Sequence, residues 1–102
     1  MKTHNESFID TNGTHLQGYV MASYHTLVGT FGQPQGSDGY KVDWEWDIEF
    51  PDGTVATIYN WKNGPNYGHS LTRPEDIKEW NVGGHNNQAY ENVRTLLLTA
   101  SR

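Results

Sequence analysis

The sequence predicts an α+β fold: an antiparallel sheet of four to five strands, made from two hairpins, with two helices packed on one face. Three observations predict it. KVDWEWDIEF, residues 41–50, alternates strictly, with Val42, Trp44, Trp46, Ile48 and Phe50 on one side and Lys41, Asp43, Glu45, Asp47 and Glu49 on the other. Asn12-Gly13 and Asp52-Gly53 are preferred pairs for two-residue hairpin turns, where positive φ is needed. Two further stretches repeat apolar residues at helical spacing. Strands and helices in this arrangement suggest helices gathered on one side of an antiparallel sheet.

The first element expected is a small hairpin, SFIDT and THLQ around Asn12-Gly13, which sets Ile9 opposite Leu16. Val20, Tyr24, Leu27, Val28 and Phe31 then trace a helical stripe, ended by Gly32 and Pro34, so a helix is expected over about 18–31. Residues 33–39 read as a loop. With Asp52 and Gly53 as the turn of the second hairpin, Phe50 faces Val55, Ile48 faces Thr57, Trp46 faces Tyr59 and Trp44 faces Trp61. Residues 62–70 are a Gly-, Asn- and Pro-rich loop. Pro74 suits a first helical position, EWNV is a short final strand, and Gly83-Gly84 breaks the chain. The final helix carries Ala89, Val93, Leu96, Leu97 and Ala100 on one stripe, with Asn86 or Asn87 at its cap. Tyr90 and Leu98 widen its apolar face, a surplus that suits contact with a second chain, although single exposed apolar residues are also normal.

Length and composition bound the function. A chain of 102 residues is one domain, 1–102, with a modest core. It has no Cys, so neither disulfides nor thiol chemistry enter. A net charge of −5 argues against a nucleic-acid coat. No apolar run reaches the roughly 18 residues that span a bilayer, and MKTHNESFID lacks the apolar stretch of a signal peptide. A cytoplasmic protein is expected.

Chemical motifs are sparse. The acidic row Asp43, Glu45, Asp47, Glu49 has the makings of a cation site or an acid–base pair, but a solvated sheet face explains it fully. The five histidines are scattered, with no HExxH, so no metal site is expected. No GxSxG, P-loop or GxGxxG is present, so neither an enzyme nor a cofactor is expected. The tryptophans read first as core. The exception lies where the second hairpin ends: Tyr59, Asn60, Trp61, Lys62 and Asn63 set aromatic rings beside a cation and several amides, a cradle suited to a nucleobase with a phosphate. Arg73 and Arg94 are candidate phosphate partners, against the simpler reading of each as a surface charge. Tyr67 and Trp80 are further candidates. Gly83-Gly84 before a helix offers backbone N–H groups to an anion, although a tight turn explains them equally well.

LVGTFGQP, DGYKVDWEWDIEF, DGTVATIYNWKNG and WNVGG together resemble a pattern in small accessory proteins of tailed bacteriophages, over about residues 27–84. Within that group the chain resembles the anti-Thoeris sponge family. The resemblance implies a protein that sequesters a cyclic ADP-ribose-type or cyclic-nucleotide immune signal in the cytoplasm of an infected bacterium. It also implies a homo-oligomer, dimer or larger, with ligand held near chain interfaces. It assigns no individual ligand residue here, and the chain's few bases leave little charge for a diphosphate. The rival expectation is an inhibitor of a host or defence protein, acting through the acidic strand face or an aromatic patch. A hydrolase of the signal would need a chemical centre that the sequence does not display.

Overall fold

The computed structural model describes residues 1–36, 41–65, 68 and 71–100. In chain order these include β1 (Lys2–Thr3), β2 (His15–Met21), α1 (Tyr24–Phe31), β3 (Glu45–Glu49), β4 (Val55–Tyr59), a 3₁₀ turn (Pro74–Asp76), β5 (Glu79–Gly84) and α2 (Asn87–Ala100). The strands make one antiparallel sheet in the order β1-β3-β4-β5-β2. The expected α+β class, a five-stranded sheet with two helices, is what forms.

One sheet face is the core. Trp46, Ile48, Ala56, Ile58, Trp80 and Val82 point into it, and Leu27 and Phe31 of α1 and Ala89, Val93 and Leu97 of α2 cover them. Trp46 and Trp80, both fully buried, meet edge to face at 5.4 Å between centroids, the geometry aromatic quadrupoles prefer. Each indole N–H has a carbonyl: Trp46 Nε1 donates to Gly32 O (2.7 Å) and Trp80 Nε1 to Ala22 O (3.1 Å). Both acceptors flank α1, so the two indoles pin that short helix to the sheet.

α1 starts and stops on explicit signals. The Ser23 hydroxyl accepts from Thr26 N (3.1 Å), a side-chain cap. Gly32, at φ +87°, ends the helix while its N–H donates to Val28 O. The helix is shorter than the expected 18–31 because residues 15–21 form β2 against β5. Val20 is buried in either arrangement, so the apolar stripe alone did not separate the two. A buried β5, with edges on both sides to fill, recruits the Tyr-Val-Met run as a strand.

The first hairpin does not form. A tight turn is present, with Thr14 N donating to Thr11 O and Gly13 at φ +80°. Residues 5–14 nevertheless belong to no strand, Ile9 is buried away from any ladder, and Leu16 pairs with Gly83. β2 takes β5 as its partner, and β1 joins β3, with Lys2 opposite Glu49 and Thr3 opposite Ile48.

The second hairpin forms one residue out of the expected register: Glu45 faces Tyr59, Trp46 faces Ile58 and Ile48 faces Ala56. The turn explains the shift. Gly53 N donates to Phe50 O, Phe50 N donates to Thr54 O, and Gly53 has φ +86°. This is a three-residue loop, a type I turn led by Pro51 and closed by a left-handed glycine. A slip of one residue exchanges the two faces of a strand. Ala56 and Ile58 therefore enter the core, and Val55, Thr57 and Tyr59 join the acidic residues on the opposite face.

EWNV extends to a six-residue central strand that includes Gly83 and Gly84. The two glycines are not a helix-entry turn. A side chain on Gly84 would collide with Ala89 Cβ, and one on Gly83 would lie 2.5 Å from Thr57 Oγ1. At Gly84 the helix layer, and at Gly83 the side chain of its cross-strand partner Thr57, comes too close for a Cβ. Asn86 caps α2, its Oδ1 accepting from Gln88 N (3.0 Å).

Candidate functional site

The open sheet face, opposite the helices, collects Tyr19, Met21, Glu45, Thr57, Tyr59, Glu79 and Asn81 by register. It is not a plain solvated surface. The acidic row is drawn inward: Asp43 and Asp47 are each only 9 % exposed. Asp47 Oδ2 accepts from Gln35 Nε2 (2.6 Å), its backbone N–H donates to His4 Nδ1 (3.3 Å), and Oδ1 is buried without a partner among the described residues. The expectation of a wholly solvent-facing row is thus corrected: the segments around residues 4 and 35 lean on it.

Two hollows meet on this face and share Trp61 as a wall. One, of about 290 Å³, lies over Gly83 and Thr57 between Tyr59, Trp61, Glu45 and the arm residues Thr11, Thr14 and His15. The other, of about 560 Å³, is bounded by Trp61, Asn63, Tyr19, Asn81 and the 72–79 segment. Gly83 lies beneath the Thr57 hydroxyl and beside the Tyr59 ring, which are 2.5 Å and 3.5 Å from where a Cβ would stand.

Trp61 is 45 % exposed. Its ring stands edge-on to Tyr59 at 6.3 Å between centroids, and the ammonium groups of Lys41 and Lys62 lie 5.5 Å and 5.8 Å from its centre. Such cation–π contacts hold both charges at the ring, at about 0.5–1 kcal/mol each in exposed settings. Tyr59 carries a phenol pushed above its ordinary value by burial; the hydrogen bond with the Asn81 side chain opposes the rise, and Glu45 and Tyr19 reinforce it. Its hydroxyl is therefore a neutral hydrogen-bonding group at physiological pH.

The loop that carries Trp61 is held from beneath by Asn60, which is fully buried. Asn60 Oδ1 accepts from the backbone N–H of Asp43 (2.8 Å) and Trp44 (3.0 Å), and Nδ2 donates to Asp43 Oδ2 and Asn63 Oδ1, both at 3.0 Å. Asn60 thereby closes the gap where β3's approach leaves the ladder. Gly64 completes the packing, since a Cβ there would collide with Asp43 Oδ2. Lys62 N donates to Lys41 O (2.7 Å), and Lys62 sits at φ +60°, the one non-glycine residue with positive φ among those described.

The expected site residues divide. Tyr59, Trp61, Lys62 and Asn63 come together. Asn60 belongs under the site, its amide committed to the loop, and is no ligand surface. Arg73 is exposed and pairs with Asp76 at 3.7 Å beside the 3₁₀ turn. Arg94 lies in a different cleft, between α2 and β2, within 4.0 Å of Glu91. Trp80 is core. Tyr67 lies outside the described residues. Tyr19 and Asn81 were missed, and Glu45 and Gly83, expected as part of an acidic row and as a helix-entry turn, line these hollows instead. For Glu79, Asn81 and Gly83 a signal existed, because they alternate with the apolar Trp80 and Val82 of the same strand.

No group of three or more His, Asp or Glu suited to a metal ion occurs among the described residues, and no helix there is long and apolar enough to cross a membrane. Comparison with family models, curated proteins and solved structures returned no match.

Proposed function

We propose that this chain is a non-enzymatic binding protein that sequesters a small nucleotide signal, and that it serves a bacteriophage as a counter-defence sponge inside the infected cell. The observation that carries the reading is Trp61, a half-exposed indole with Tyr59 at its edge and two ammonium groups at its face. A base stacks on such rings with about 1–3 kcal/mol per base, and the same lysines meet a phosphate. Asn63, Asn81 and the Tyr59 hydroxyl supply hydrogen bonds to a base edge. Sequestration needs only tight binding and abundance, because bound messenger cannot reach its receptor.

Native mass spectrometry with a panel of cyclic nucleotides and cyclic ADP-ribose isomers tests this. The expected result is a mass shift of one intact nucleotide per site, lost in Trp61→Ala with Lys62→Ala. A folded protein that shifts with none of them would overturn the reading. The rival, an inhibitor that docks on a protein, draws on the exposed Tyr19 and Met21 on the same face. It predicts that Glu45→Lys with Glu79→Lys abolishes capture of the target while nucleotide binding stays absent.

A further inference from the structure

The sheet ends in two edges, β1 and β2. β1 is two residues long and exposes little backbone, whereas β2 runs seven residues. Natural edges are usually guarded by charge, proline or brevity. His15–Met21, HLQGYVM, contains no Lys, Arg, Asp, Glu or Pro.

The direction of its backbone groups follows from the ladder. Ala22 N donates to Lys78 O (2.9 Å), so that pair is hydrogen-bonded, and antiparallel pairs alternate. Val20 and Trp80 are then hydrogen-bonded as well. The pairs Tyr19–Asn81 and Met21–Glu79 are not, so the N–H and C=O of Tyr19 and Met21 point outward from the sheet. An independent contact agrees: the Tyr90 hydroxyl, reaching round from α2, donates to Tyr19 O (3.1 Å). That carbonyl keeps a second lone pair. The flanking side chains are apolar and open, with Met21 72 %, Leu98 58 % and Tyr19 52 % exposed.

We propose that β2 pairs antiparallel with β2 of a second copy, about a two-fold axis through Val20, to form a continuous ten-stranded sheet. The strand is self-complementary in this register. Tyr19 of one copy meets Met21 of the other, twice, so each outward backbone pair is matched and each phenol ring lies against a thioether. The strand carries no Asp, Glu, Lys or Arg, so the pairing opposes no like-charged side chains directly across it. The bulge between Leu16 and Gly18 ends the pairing on one side and the start of α1 ends it on the other. Because Tyr19 also walls the larger hollow, Met21 of the second copy completes that wall. The dimer does not depend on the ligand proposed above.

Met21→Pro is the discriminating variant. It removes an outward N–H only, leaving the ladder to β5 intact. Met21→Lys, an edge guard, is the second variant should proline disturb folding. Sedimentation velocity on the full chain should give twice 11.6 kDa for the wild type and 11.6 kDa for both variants, with unchanged circular dichroism. A wild type that stays monomeric up to ~100 µM overturns the proposal. So does a dimer that survives Met21→Lys, which would place the interface elsewhere.

Discussion

The Tyr90 ring lies across Gly18 at a distance that leaves no room for a side chain: a Cβ on Gly18 would sit 2.8 Å from two ring carbons. The contact joins α2 to the edge strand, and the hydroxyl continues to Tyr19 O. The glycine in β2 is thus a seat for an aromatic ring.

Gly18→Ala should therefore destabilise the fold by about 1–3 kcal/mol, the usual range for forcing atoms into a packed site. Tyr90→Ala should cost a comparable amount by removing the ring. The two losses should not add, because alanine at 18 fits once the ring is gone. Urea unfolding of the two single variants and the double variant measures this. Additive losses would mean that the ring and the glycine act separately.

Asn60 makes a second prediction. Asn60→Ala leaves the N–H groups of Asp43 and Trp44 without their acceptor in a buried setting, at about 1–3 kcal/mol for a lost buried partner. A total loss of about 2–4 kcal/mol is expected, together with a loosened Trp61 loop. Asp47→Asn should behave differently, because one of its buried carboxylate oxygens has no partner to lose. A change within about 1 kcal/mol is expected there. Chemical denaturation separates the two cases, and equal losses would contradict the distinct roles given to these residues.

How much of this was legible in the chain depends on which signal carried each element. The alternation identified the core strand, formed over 45–49, and the buried face that carries Trp46 and Ile48, whereas Val42, ahead of the strand, lines the hollow on the opposite face. α2 was equally plain, since its stripe and its Asn86 cap agree. The hairpin register differs from the expected one because Asp52-Gly53 is only part of a three-residue turn. Pro51 held the correction: it cannot supply the ladder N–H that a paired strand position requires, and it favours the second position of a type I turn. β2 was hidden because Val20 satisfies a helical stripe and a strand equally well. The choice between them lies in pairing with β5, sixty residues away in sequence, which no local pattern encodes. The site was half legible for the same reason. Trp61 and Lys62 follow one another in the chain, whereas Asn81, Gly83 and Tyr19 reach them only across the sheet.

Alkaline pH probes Tyr59. Folding raises its phenol above the ordinary value of 10.0, chiefly by burial. The sign follows: the folded state favours the neutral phenol, so the associated stability is intact below 10.0 and declines as pH rises through the higher folded value. Tyr24, raised by burial and by Glu75, acts in the same direction. A phenolate absorbance titration should lose a late-titrating component in Tyr59→Phe. Glu45→Gln should move that component earlier and Asn81→Ala later. A Tyr59 that ionises with the exposed tyrosines would refute the described packing.

Lys62 separates strain from recognition. A non-glycine residue at φ +60° gives up about 1 kcal/mol or more relative to glycine. Its N–H is bonded to Lys41 O, so backbone and side chain carry separate demands. Glycine would satisfy the backbone better, and the lysine places an ammonium at the Trp61 ring instead. Lys62→Gly should leave stability unchanged or raise it by up to about 1 kcal/mol. Lys62→Ala should lower it slightly, having the strain without the cation–π contact. Both should weaken nucleotide binding by about tenfold if the ammonium meets phosphate, a loss of roughly 1.4 kcal/mol. Thermal unfolding read beside calorimetric titration gives both numbers on one pair of variants. A glycine variant that is more stable and binds undiminished would exclude Lys62 as a phosphate contact and leave Lys41, whose ammonium lies 5.5 Å from the same ring, as the group to test next.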